Sequence, residues 1–239
     1  MDVNTKLNFI KKYKLGTPQI IQKELIADIQ TPVSSLIKLS KNQKYSFLLE
    51  SVEGGNQRGR FSLLGCDPDI IWKIENNKVS VKSLDKNLDL SFLPENPIDS
   101  LKKLIQYSKI ERDFDNPPLP ILVGYFGYSM IKFMEEIQLK NKDEINIPDA
   151  ILIRPKLVAV FDNIKDTINV MTPIYPNKKI TPEKALRLGR KYLNANIRKL
   201  EVDTNFKTTY PKNKGGELNF KSNYTKKEYF KIIEKAKSY

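Results

Sequence analysis

The 239-residue chain has no histidine, one cysteine and one tryptophan. Without histidine it lacks the commonest general base and metal ligand of proteins, so Ser-His-Asp catalysis and Cys/His zinc sites are closed to this chain alone. A single cysteine, Cys66, allows no internal disulfide and suits a reducing cytoplasm. Its apolar surroundings mark it as packed. No apolar run reaches bilayer-spanning length, and the first residues mix charge with apolar side chains where a signal peptide would be apolar. No membrane partner is expected.

Charge is plentiful but uneven. Residues 178–239 hold 17 Lys+Arg against 6 Asp+Glu, a net +11 of the whole chain's +13. The excess is mostly lysine, whereas base and phosphate recognition favours the planar fork of arginine. Clustered aromatics for single-strand stacking are missing as well, so the basic tail reads as solvated surface and no nucleic-acid partner is expected. The apolar fraction of 40% and charged fraction of 29% fit a soluble globular protein of one large or two small domains.

One stretch concentrates chemistry. From Phe47 to Gly65 a strand ends in Glu50, Ser51 and Glu53, passes Gly54-Gly55, and returns through Arg58 and Arg60 into the apolar run Phe61–Leu64. A carboxylate, a hydroxyl and two guanidiniums on one hairpin suit the amine and carboxylate of a small zwitterion. On chemistry alone the plainer reading is favoured, an ordinary hairpin whose loop carries surface ion pairs.

The remainder alternates helices and strands. Helices are expected over 4–14, from Thr31-Pro32 through Leu39, from Pro97 to about Ile110, over Ser129–Glu136, and from Thr181-Pro182 to about Leu200. Extended runs are expected at Ile20–Ile26, Asp69–Glu75, Lys78–Lys82 across an Asn76-Asn77 turn, Ile121–Tyr128, Lys156–Phe161 and Thr167–Met171. Trp72 is expected in the core. The glycines of Val123-Gly-Tyr-Phe-Gly-Tyr128 mark close backbone approach, because the G-x-G-x-x-G pattern and the P-loop lysine of nucleotide sites are missing. Glu201–Asn219 is linker-like. Thr225-Lys-Lys-Glu228 is a capping box opening a helix with Tyr229, Ile232, Ile233 and Ala236 on its apolar face. That helix runs to Tyr239 without a stop signal, and the expectation is that a further domain begins there.

Laid out in order, LIADIQTP (Leu25–Pro32), FLLESV (Phe47–Val52), GRFSLLG (Gly59–Gly65), VGYFGY (Val123–Tyr128), PDAI (Pro148–Ile151), VFDN (Val160–Asn163) and SNYTKKE (Ser222–Glu228) resemble the N-terminal part of anthranilate synthase component I. The resemblance implies an α+β fold of antiparallel sheets flanked by helices, truncated before most of the chorismate-binding domain. It implies an N-terminal regulatory domain over 1–200, a linker over 201–221, and the first helix of the chorismate-binding domain over 222–239. Active site and Mg2+ fall in the absent part, so no catalytic residue and no metal ligand are expected here. What the resemblance assigns to this part is half of a tryptophan feedback site: Ser51 contacting the inhibitor, Leu49 and Glu50 beside it, Glu50 taking the ammonium and Arg60 the carboxylate. The implied parent is a cytoplasmic lyase that converts chorismate and ammonia to anthranilate and pyruvate, with a glutamine amidotransferase subunit as partner. Two alternatives stand beside it: the sister enzyme of folate synthesis, aminodeoxychorismate synthase component I, and a stand-alone non-catalytic amino-acid sensor.

Overall fold

In the computed structural model the described residues are 3–41, 43–53, 57–86, 88–111, 117–119, 121–137, 146–202 and 221–239; the side chains of residues 3 and 51–58 lie outside this description. The chain divides into two compact units, Met1–Thr204 and Asn205–Tyr239.

The first unit is α+β, an antiparallel seven-stranded sheet with helices against it. Helix α1 (Val3–Lys14) leads to strand β1 (Gln19–Ile26), helix α2 (Pro32–Leu39), and strands β2 (Ser46–Glu53), β3 (Gln57–Glu75) and β4 (Lys78–Ser83). Helix α3 (Pro97–Ser108), strand β5 (Val123–Phe126), a 3₁₀ turn (Tyr128–Phe133), strands β6 (Ala150–Asp162) and β7 (Thr167–Ile174), and helix α4 (Pro182–Glu201) follow. The strand order is β1-β7-β6-β3-β2, with β4 also on β3 and β5 also on β6.

Helix starts follow local chemistry. Thr31, Asn96 and Thr181 each accept a backbone N–H of the first turn through the side-chain oxygen, and each precedes a proline at the first helical position. A proline there forfeits no hydrogen bond, because that N–H has no partner within the helix.

The long strand β3 departs from the sequence expectation of two separate strands, Phe61–Leu64 and Asp69–Glu75. The strand runs through Pro68, where its register on β6 shifts, and Pro68 faces Pro155 across the ladder. Neither proline has an N–H to donate, so they fit the one point at which the ladder is irregular. Asp67 beside them takes a positive φ of 52°. β2 and β4 share one edge of β3, pairing with residues up to Cys66 and from Ile70 onward respectively. β6 starts at Ala150, earlier than expected, because Ala150–Ile153 gain partners on both β3 and β5. The expected helix over Ser129–Glu136 is the 3₁₀ turn.

Strand alternation sorts the core. Leu64, Cys66, Leu157, Ala159, Phe161, Ile168 and Val170 pack with Phe9 and Tyr13 of α1, Leu39 of α2, and Leu186, Leu193, Ile197 and Leu200 of α4. Val158, Val160 and Met171 turn to the opposite face and meet Ile20, Phe61, Leu63 and Leu119. A third cluster joins Ile70, Trp72, Ile74, Ala150 and Leu152 to Leu104 of α3 and to Met130. Trp72 is fully buried and donates its indole N–H to Ser100 Oγ at 3.0 Å.

A buried ion pair ties β3 to β6 beside α3. Arg154, 1% exposed, donates from Nε and Nη2 to the two carboxylate oxygens of Asp69 at 2.8 and 2.7 Å. Its guanidinium carbon sits 3.8 Å from the Tyr175 ring centroid and 5.3 Å from that of Tyr107. Burial disfavours the Arg154 charge, but the bonds it donates to Asp69 and the carboxylate's charge outweigh that and raise its pKa above the ordinary value.

In the second unit, helix α5 (Lys226–Lys237) opens with a reciprocal capping box between Thr225 and Glu228. Tyr229, Phe230 and Ile232 on it are exposed.

Candidate functional site

The site expected from the sequence lies where β2 and β3 meet the far end of β6. Leu49 pairs with Leu63, and Glu50 with Ser62. Between Glu50 and Val52 the register shifts, Val52 facing Arg58, so Ser51 stands opposite an excess of residues on β3. Because neighbouring strand residues point to opposite faces, Leu49 shares a face with Leu63 and Glu50 shares the other with Ser62. Leu49 is half exposed at 47%. The Ser51 side chain, and those of Glu53 and Arg58, lie outside the described residues.

Arg60 is held from several directions. Phe61 pairs with Asp162 across the β3–β6 ladder. Asp162 accepts from Arg60 Nη2 at 3.0 Å and from Nε at 3.3 Å, and its Oδ1 also accepts the backbone N–H groups of Ile164 and Lys165 at 3.1 and 3.3 Å. The Arg60 guanidinium stacks 4.7 Å above the Phe61 ring. Asn163 completes the clamp: its backbone N–H bonds to Arg60 O at 2.8 Å, and its side-chain amide donates to Gly59 O at 2.8 Å and to Ser62 Oγ at 3.4 Å. The GRFS and VFDN motifs, whose bonded groups are 101 to 104 positions apart in sequence, are therefore one hydrogen-bonded unit.

The electrostatics follow from those contacts. Burial raises the Asp162 pKa, but the bonds from Arg60, Ile164 and Lys165 outweigh it and hold the carboxyl below its ordinary range. The hydrogen bond to Asp162 raises the Arg60 pKa. Both groups stay ionised at neutral pH.

The structure thus brings Leu49, Leu63, Phe61 and the Arg60–Asp162 pair to one end of the sheet, an apolar strip ending in a guanidinium. Glu50 it places on the other face of β2. Asp162, Asn163 and Phe61 escaped the sequence reading as site residues. The signal was present, since Asp-Asn directly after an apolar strand is an Asx-turn pattern. Its partners, however, are a hundred residues away.

Two other features lie apart. Gly124 meets the expectation of close approach, because a Cβ there would overlap the Ile151 carbonyl oxygen. Nearby, Asp149 accepts from Ser129 and, at 3.1 Å, from Lys132 Nζ. A hollow of about 570 Å³ occupies the notch between the β2 and β4 pairings, lined in part by Gln43, Lys44, Ile71, Lys73 and Lys82; none of the expected site residues lines it. Among the described residues no group of three or more His, Cys, Asp or Glu is placed to hold a metal, and no helix is long and apolar enough to cross a membrane.

Comparison with known proteins bears out the resemblance carried by the motifs. The chain is 33% identical over 240 residues to anthranilate synthase component 1 of Cereibacter sphaeroides, a match covering 97% of this chain and 47% of that protein. It is 29% identical to the protein of the same name from Aquifex aeolicus, covering 100% of this chain and 48% of the relative. A crystal structure of anthranilate synthase component I from Streptococcus pneumoniae shares the fold with a TM-score of 0.50 at 23% identity, over 90% of this chain and 44% of that one. No family model matches. The chain spans about half the length of the curated relatives it matches.

Proposed function

We propose that this chain is the N-terminal half of an anthranilate synthase component I, the half that senses the end product while the other carries the chemistry. The supporting observation is similarity along almost the whole chain to proteins twice as long, 97% of it against 47% of the relative. On this reading the complete subunit adds ammonia to chorismate with loss of the C4 hydroxyl as water, then releases pyruvate to leave anthranilate, a step of tryptophan biosynthesis in the cytoplasm. A glutamine amidotransferase subunit supplies the ammonia. Mg2+, which supplies Lewis-acid stabilisation of the substrate carboxylate, belongs to the chorismate-binding half.

The regulatory site of this proposal is built on the β2–β3 end. L-Tryptophan lays its indole against the apolar strip of Leu49, Leu63 and Phe61, Ser51 contacts it, and Arg60 receives its carboxylate. Glu50, on the edge strand β2, is the acceptor proposed for the ammonium, although its side chain belongs to the face opposite this strip. Residues of the other half complete the pocket, so binding is tight in only one arrangement of the two halves. A coupling of about 1–3 kcal/mol between inhibitor and chorismate is the usual scale of such linkage.

Two measurements test this. The chain alone, given chorismate, ammonium and Mg2+, should yield no anthranilate fluorescence; a signal free of contaminating enzyme contradicts the division of labour. In the complete subunit, Ser51→Phe should relieve inhibition by tryptophan and leave uninhibited turnover within about twofold. Inhibition equal to wild type removes Ser51 from the site. Aminodeoxychorismate as the product of the complete subunit would transfer the assignment to the sister enzyme of folate synthesis.

A further inference from the structure

A guanidinium has two edges able to grip a carboxylate, the side edge of Nε and Nη2 and the end edge of Nη1 and Nη2. In Arg60 the side edge is taken by Asp162. Nothing among the described residues hydrogen-bonds to Nη1, and the side chain is 48% exposed. The plane of the group is set by the Phe61 ring beneath it. Asp162 is itself fixed: its side chain is 7% exposed and its Oδ1 is tied to the turn by the N–H groups of Ile164 and Lys165. Asn163 holds the Arg60 carbonyl and that of Gly59 from the same turn.

We infer that Asp162 is the positioning residue of the effector site: it grips the inner edge of Arg60 so that the outer edge is presented, already oriented, to the carboxylate of an amino-acid ligand. The inference rests on the tryptophan-sensing reading above and extends it to the turn between β6 and β7. The physical gain is entropic. An unsupported arginine gives up much of its rotamer freedom when it binds, and one already stapled has little left to lose. Recognition then depends on the short-range fork, because the adjacent carboxylate cancels most of the distant field. Lysine, a point charge with no second edge, cannot replace arginine in this arrangement.

The test compares L-tryptophan inhibition of the complete subunit, with ammonium as nitrogen source, for wild type, Asp162→Asn, Arg60→Lys and Lys165→Ala. Asp162→Asn keeps the oxygen that the turn needs and replaces the one that accepts Nη2 by an amide that cannot accept it. It should raise the half-inhibiting tryptophan concentration at least tenfold, with kcat and KM for chorismate unchanged. Arg60→Lys should do the same, whereas Lys165→Ala, which leaves the backbone N–H in place, should match wild type. In parallel, the Arg60 Nε–H resonance of this chain should be protected from exchange in the wild type and lose protection in Asp162→Asn. If that protection is lost while tryptophan inhibition stays within twofold of wild type, the positioning role is refuted and the effector reading survives. If the wild-type subunit is not inhibited at all, both fall. Should Asp162→Asn fail to fold, Arg60→Lys decides alone, and unaltered inhibition in it overturns the proposal.

Discussion

Replacing Asp69 with asparagine should destabilise the first unit by about 3–5 kcal/mol, the scale for leaving one member of a buried ion pair without its partner. The structure argues for the full scale. Arg154 is 1% exposed, so water cannot take over from the lost carboxylate. Another hydrogen-bond partner, Ser108 Oγ, is neutral and 3.4 Å away. The two tyrosine faces contribute about 0.5–2 kcal/mol of cation–π attraction, too little to replace two charge-assisted bonds. A domain of this size has a total stability of roughly 5–15 kcal/mol, so the substitution removes a large fraction of it. With a urea m-value of about 2–3 kcal/mol/M, the unfolding midpoint should fall by roughly 1–2 M. Trp72, the only tryptophan, lies in the core on β3 and reports the transition by fluorescence. The double variant Asp69→Leu/Arg154→Met should recover most of the loss, because it removes the uncompensated charge along with its partner. A midpoint shift below about 0.3 M in Asp69→Asn would refute the reasoning: the tyrosines or water would then suffice for Arg154.

Further outcomes are open to measurement. Gly124→Ala places a methyl where the Ile151 carbonyl oxygen sits, so β5 should detach from β6; amide exchange at Val123–Phe126 should accelerate, and wild-type protection would count against it. The Cys66 thiol is pushed up to about 12, first by burial and then by Asp67. At pH 8 a thiol reagent should therefore label the native protein slowly, at a rate that climbs with urea in step with Trp72 fluorescence; immediate labelling would show the thiol to be accessible. The lowered Asp162 pKa stabilises the fold fully above the ordinary carboxylate value of about 4, and that contribution is lost as pH falls through the lowered one. The stability gap between wild type and Asp162→Asn should accordingly be widest near neutrality and close in acid, and a gap that widens on acidification would reverse the sign.

What the sequence disclosed was what neighbouring residues decide among themselves. The caps at Thr31, Thr181 and Thr225 placed three helix starts, since a hydroxyl three positions from an N–H is a local fact. The Asn76-Asn77 turn was equally local, both residues adopting positive φ. Strand limits were less legible. The runs Phe61–Leu64 and Asp69–Glu75 read as two strands, yet β3 passes through Pro68 between them with Pro155 opposite, a pairing across 87 positions that no window of neighbours contains. The site divided in the same way. Leu49, Glu50, Ser51 and Arg60 stood out by composition and motif, but the alternation that sends Leu49 and Glu50 to opposite faces needed the β2–β3 register. Asp162 and Asn163 gained their part in the site only once β6 came to lie beside β3.

The nineteen residues of β3 have a consequence for how the protein is made. Synthesis delivers this strand, with β2 and β4 along one side, well before its other neighbour exists: the pairs run from Ile74 with Ala150 to Phe61 with Asp162. At about 5–20 residues per second the ribosome needs several seconds to bridge that interval. Throughout it the nascent chain carries one long unpaired ladder rich in isoleucine and leucine, the kind of template that other chains join. Expression at low temperature or without chaperones should therefore be limited by the arrival of β6, and premature termination anywhere before residue 150 should yield aggregates.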